Sequence, residues 1–120
     1  MAYSEYISDR IHQIFNDKKV DFYAKKMMGG LCFMVDNKMC CYIYYDKKKE
    51  IDLLMARIGE KAYKNEIHKE ECYPMDFTGR AMKGYIFVTA EGFDLDEDLE
   101  YWIQLCLNFN PFAKRSKRRK

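Results

Sequence analysis

Proline is nearly missing from this 120-residue chain: Pro74 and Pro111 are the only two, and glycine occurs just six times. With so few breakers there is no linker, no internal repeat and no low-complexity stretch. No apolar run approaches the roughly 18 residues that a membrane span needs. The opening "MAYSEYISDR" also lacks the apolar centre of a signal peptide. Both absences lead us to expect a cytoplasmic protein without a membrane role. Five cysteines are present, but no Cys-x-x-Cys pair is. An odd, irregularly spaced set fits a reducing compartment better than a disulfide framework.

The same scarcity bears on chemistry. A zinc site needs about four ligands. His68 and Cys72 could meet at one helix end, but no further pair joins them. Adjacent Cys40 and Cys41 fall in a strand pattern, which should send their side chains to opposite faces. His12 sits among polar helix residues, where solvation is the simplest reading, and neither histidine has the setting of a nucleophilic pair. We therefore expect no metal, no cofactor and no enzyme activity, with the thiols acting as small apolar core residues.

Apolar residues reach 48% and aromatics 16%, which marks a globular chain. Ten tyrosines and eight methionines supply much of that share, and both tolerate partial exposure. The net charge of +2 is unevenly divided. The last seven residues, "KRSKRRK", hold six basic side chains, leaving 15 basic against 19 acidic residues before them. An acidic body with a basic appendage results, not a uniformly basic surface.

Residues 4–16 place Ile7, Ile11, Ile14 and Phe15 at helical spacing, with Ser4 as the cap and Glu5 in the first turn. The period then changes to that of strands at 20–26, 31–35, 38–45 and 51–58. "LCFMV" is apolar on both phases, as a strand covered on both faces should be. Asp36-Asn37 suits a tight hairpin, and Met39, Cys41, Ile43 and Tyr45 should share one side of the next strand. Residues 59–71 read as a short helix with Ala62, Tyr63 and Ile67 on its stripe. "MDFTGR" is expected to be extended and 83–90 to be a strand. The last helix, 94–109, should be capped by Asp94 and Glu97 and bury Leu95, Leu99, Trp102, Ile103 and Cys106. The sum is an α+β fold: an antiparallel sheet of about five to six strands with an N-terminal, a short middle and a C-terminal helix.

Two segments, "KKMMGGLCFMVDNKMCC" and "YPMDFTGRAMKGYIFV", resemble the signatures of the TfoX/Sxy N-terminal domain family. The likeness spans residues 5 to 108. Met28 stands for the usual phenylalanine, Ala81 for the usual proline and Tyr85 for a frequent tryptophan. The resemblance implies an antiparallel sheet flanked by helices, similar to secretion-chaperone-like folds. Larger members are regulators of natural competence in which a helical DNA-binding-type domain follows this one. No catalytic residues come with the resemblance. We expect one such domain over 1–112 and a disordered basic tail over 113–120.

Candidate binding residues gather at the glycine turns. "TGRAMKG" is no phosphate loop, because its glycines are five apart, no Lys-Ser/Thr follows, and a strand comes next. Gly79 reads as a turn and Gly84 as a bulge or close backbone approach, while Arg80 and Lys83 could make a small anion-attracting corner. Gly29-Gly30 reads as a turn with unusual backbone angles. In the tail, Lys114, Arg115, Lys117, Arg118, Arg119 and Lys120 could contact phosphates without sequence preference. The leading expectation is a non-enzymatic regulatory or adaptor domain acting through contacts with an unidentified protein. The alternatives are nucleic-acid association through the tail and an enzyme acting on a small ligand. A homodimer is compatible with open sheet edges.

Overall fold

The computed structural model describes residues 3–27, 29–74 and 84–113. Helix α1 runs Glu5–Asp17, and the Ile7 amide donates to Ser4 Oγ at 3.2 Å, so Ser4 caps it. Its buried stripe includes Ile7, Ile11 and Phe15. Four strands follow: β1 (Tyr23–Met27), β2 (Gly30–Val35), β3 (Lys38–Asp46) and β4 (Ile51–Arg57). Then come α2 (Gly59–Glu66), β5 (Cys72–Pro74), β6 (Tyr85–Thr89) and α3 (Asp96–Phe109). The strands form one antiparallel sheet in the order β1-β2-β3-β4-β6-β5, giving the expected α+β architecture.

The connections follow from residues that accept left-handed angles. Asp36 and Asn37 have φ of 56° and 61°, which makes the two-residue turn between β2 and β3. Asp46 organises the next turn, its Oδ1 accepting from the Lys48 and Lys49 amides at 2.9 and 3.2 Å.

Two apolar clusters lie on opposite faces of the sheet. One joins α1 and α3 to the strands through Phe15, Phe33, Ile43, Leu54, Ile86 and Trp102, among others. The other is built from strand residues: Cys32, Met34, Tyr42, Leu53, Met55 and Phe87. β2 feeds both, with Leu31 and Phe33 to one and Cys32 and Met34 to the other, as its doubly apolar pattern predicts.

Several local expectations need correction. Phe33 pairs with Cys41 but Met34 pairs with Met39, so Cys40 is the extra residue of a β-bulge. A bulge breaks the period-two alternation. Cys40 and Cys41 therefore lie in the same helix-side cluster, not on opposite faces, and Met39 packs with the other cluster. Tyr45 is exposed. β1 starts at Tyr23, while Val20 and Phe22 reach the core from the preceding loop. α2 stops at Glu66, because tight turns from Glu66 to Lys69 and from Lys69 to Cys72 steer the chain into β5. The Asp94–Glu97 cap does not form: Leu95 is the N-cap, it makes no side-chain cap bond, and its side chain is 57% exposed. Arg10 Nη2 instead donates to the Asp94 carbonyl at 2.9 Å and so fastens the start of α3 to α1. "MDFTGR" lies outside the described residues.

Candidate functional site

The ends of the strands sort the predicted site residues. β2 runs from Gly30 to Val35 and β6 from Tyr85 to Thr89, and the pairings place Gly30 at one end of the sheet and Gly84 at the other. The two glycine turns do not converge on one site. At the first end, Gly29 has φ of +77° with open space around it. Gly30 has an ordinary φ but no room, since a Cβ there would stand 2.3 Å from the Ile43 carbonyl oxygen. Close approach, not backbone angle, selects the second glycine. Gly79, Arg80 and Lys83, and Lys114, Arg115, Lys117, Arg118, Arg119 and Lys120 of the tail, lie outside the described residues.

The Gly84 end has a built geometry. Gly59, where β4 hands over to α2, and Gly84, just before β6, both have φ of +88°. The Ile58 and Gly59 amides donate to the Gly84 carbonyl at 2.9 and 3.1 Å, which stitches the two turns together. A Cβ on Gly84 would lie 3.3 Å from the Gly59 backbone, so the close approach expected at this glycine is present. Against Gly59 stands the Phe109 ring, whose Cδ1 would be 2.5 Å from an added Cβ.

Above these glycines is a hollow of about 310 Å³ lined by Arg57, Gly59, Glu60, Gly84, Tyr85 and Phe109. The Arg57 guanidinium lies 5.3 Å from the Tyr85 ring centroid and 6.0 Å from that of Phe109. It reaches the Met39 carbonyl at 3.5 Å. Two ring faces hold the cation by quadrupole attraction. Its positive charge suits a carboxylate as a neighbour. Larger hollows lie between α1 and α3, walled by Asp9, Asp17, Asp96 and Glu100 with Arg10, and beside Tyr44, Tyr73 and Phe87. Neither is lined by a residue that the sequence marked as a candidate for binding.

Arg57 and Phe109 escaped the sequence reading. A signal was there: "LLMARIG" ends an apolar strand on one cation followed at once by isoleucine and glycine.

Beneath this end of the sheet lie three thiols. The influence of the Cys106 and Cys41 thiols, together with the Arg57 charge, holds the Cys40 thiol below its ordinary value against the opposing effect of burial. Cys106 is pushed well up by burial, and Cys41 by the neighbouring Cys40 thiol and by burial. Among the described residues, no group of three or more His, Cys, Asp or Glu side chains is placed to hold a metal ion. His68 is exposed while Cys72 is buried. His12 is half-buried, not solvated: its ring meets Phe22 and Phe33 edge-on at 5.2 and 5.3 Å, and its Nδ1 lies 2.8 Å from the Ser8 carbonyl oxygen. Among the described residues, no helix is long and apolar enough to cross a membrane.

A family model described as the TfoX N-terminal domain matches residues 18–110. No curated protein matches the chain.

Proposed function

The chain belongs to the TfoX N-terminal domain family, and from that premise we propose that it is a non-catalytic regulatory domain whose Arg57 corner grips a protein partner. The observation that carries this reading is the guanidinium of Arg57 set between Tyr85 and Phe109 above a glycine floor. Arginine and aromatic side chains dominate the few residues that supply most binding energy at protein interfaces, because they combine apolar area with fixed polar geometry. The preferred partner segment carries an exposed acidic side chain or a chain-terminal carboxylate, whose negative charge complements the guanidinium. Arg80 and Lys83 precede Gly84 by four residues and one, so the sequence adds positive charge next to the same corner.

The test compares proteins co-purifying with the native chain, with Arg57→Glu, and with the double variant Arg80→Glu, Lys83→Glu. Each variant is first checked for unaltered thermal unfolding. Loss of the same partner from both variants is expected. An unchanged set of partners in both would remove this corner from consideration.

A second reading rests on a different observation. Asn110 Nδ2 donates to the Val35 carbonyl at 3.2 Å and Lys38 Nζ to the Asn110 carbonyl at 3.0 Å. These bonds tie the end of α3 to the β2–β3 turn, at the same end of the sheet as Gly84. Gly84 and Ala113, which adjoin the basic segments 80–83 and 114–120 in sequence, thus lie at one end of the sheet. That favours contact with a polyanion such as nucleic acid there.

A further inference from the structure

We propose that the hollow beside Tyr44, Tyr73 and Phe87 is a binding site for a nucleotide unit, with the base against Tyr73 and the phosphate at Lys49. Asp46 pairs with Ile51 at one end of β4 and Tyr85 with Arg57 at the other, so this hollow and the Arg57 corner occupy opposite ends of the sheet. The inference therefore goes beyond the partner-binding reading and does not depend on it.

Strand register builds the site. Residues directly opposite each other in an antiparallel pair share a face. Tyr44 therefore stands beside Leu53, and Leu53 beside Thr89. In the next row Phe87 stands beside Tyr73 of the edge strand β5. Leu53 and Phe87 belong to the cluster on the face away from α1 and α3. The hollow over them has a volume of about 410 Å³, and Asp46 and Lys49 of the β3–β4 turn join its lining. That size falls within the range of small-molecule sites, about 300–1,000 Å³.

The floor is apolar and the rim is polar. Leu53 and Phe87 are buried, and the Tyr44 ring meets Phe87 at 5.9 Å with a 54° tilt. Tyr73 is 42% exposed, a ring that the core does not use. Lys49 Nζ lies 5.7 Å from its centroid. The turn that carries this cation is fixed, because Asp46 Oδ1 accepts from the Lys48 and Lys49 amides. One group beside the hollow lacks a partner. Thr89 is 8% exposed, yet its buried Oγ1 makes no hydrogen bond. A buried hydroxyl left unpaired is costly, and Thr89 neighbours Leu53 of the floor.

A nucleotide answers these features together, where an apolar guest answers only the floor. Its base offers a π-face to Tyr73, a contact that every base can make. Its phosphate takes the Lys49 ammonium in a charge-assisted bond, and Lys47 and Lys48 stand exposed on the same turn. Asp46 Oδ2 is not used by the turn, and a carboxylate oxygen accepts from an exocyclic amino group such as that of adenine. A free nucleotide and a single-stranded segment share this chemistry.

The experiment titrates the full 120-residue chain by calorimetry with AMP, adenosine, ribose 5-phosphate and a tetra-adenylate strand. AMP or the strand is expected to bind saturably, and ribose 5-phosphate not to. Tyr73→Ala should weaken that binding about fivefold or more. Tyr23→Ala, exposed on the opposite edge strand, should leave it unchanged. Lys49→Gln should remove the advantage of the phosphorylated ligand over adenosine. Tyr73-dependent binding of AMP assigns the site to free nucleotides, and such binding of the strand alone assigns it to single-stranded nucleic acid. Each variant is checked for unaltered thermal unfolding. Should one fail to fold, photolabelling of the native chain with 8-azidoadenosine 5′-monophosphate decides, the label being expected on the peptide of Tyr73 or of Tyr44. No saturable binding by either ligand would overturn the proposal. So would affinity that survives Tyr73→Ala, ribose 5-phosphate binding as tightly as AMP, or a label confined to other peptides.

Discussion

A thiol enclosed by methionine and tyrosine side chains gains nothing from ionising, and Cys32 shows the cost. It is fully buried, and burial pushes its thiol from 9.0 up to about 11, with Lys25 partly offsetting the rise. Cys72 is pushed in the same direction, to about 12, by burial and then by Glu71. In both cases the folded state holds its proton more tightly than the unfolded chain does. Their contribution to stability is complete below 9.0 and is lost as pH climbs toward 11 and 12. The urea midpoint is therefore expected to fall as pH rises above about 9, and more gently in Cys32→Ala than in the native chain. An alkaline slope identical in the two proteins would show that Cys32 ionises as readily folded as unfolded.

Among the elements, the turns state their requirements most openly. An alanine at Gly29 meets open space and bears only the left-handed backbone penalty of about 1–2 kcal/mol. At Gly59 the same backbone penalty is joined by collision with the Phe109 ring, an overpacking cost of roughly 1–3 kcal/mol. Gly59→Ala should therefore destabilise by about 2–5 kcal/mol, clearly more than Gly29→Ala, in denaturant unfolding of the two variants side by side. Equal losses would mean that Phe109 moves aside without cost, and the hollow would have no fixed wall.

The same contrast explains what the sequence makes legible. α1 could be read because its cap and its buried stripe are local signals, and the β2–β3 turn because Asp36-Asn37 carries its own geometry. The bulge at Cys40 could not, since it is set by how β2 and β3 pair and not by either strand alone. Leu95 was misjudged for a similar reason: helical spacing assigns it to the apolar face, but the Arg10 clamp on the Asp94 carbonyl starts α3 after it. Of the candidate corner, Gly84 was legible as a close approach. Arg57 and Phe109 come from a distant strand and helix, and only the packed fold brings them to it.

For the molecule as a whole, charge is sorted by position. The groove between the two long helices is acidic, with Asp9, Asp17, Asp96 and Glu100 around it, and it holds Arg10 and Lys18 in pairs with Asp96 and Glu100 at 3.2 and 3.0 Å. Gly84 and Ala113, the described residues that adjoin the basic segments in sequence, lie at the strand ends that also carry Lys38 and Arg57. The sheet edges are poor places for a second copy to pair, because Lys25 and Lys26 lie exposed on β1 and β5 is three residues long with Pro74 in it. A polyanion meeting this molecule is repelled by the helical groove and drawn to the strand ends, so binding through the tail should be oriented as well as salt-sensitive. Six phosphates neutralised by the six tail cations would give a log–log salt slope near about −5 on duplex DNA. Deleting residues 114–120 should then weaken binding to a short duplex at least about tenfold at low salt and flatten that slope by several units. The measurement is a fluorescence-anisotropy titration at three salt concentrations, native chain against truncation. Should both affinity and slope survive the deletion, the tail has no part in polyanion contact, and the protein-partner reading of the Arg57 corner stands without a rival at that end of the sheet.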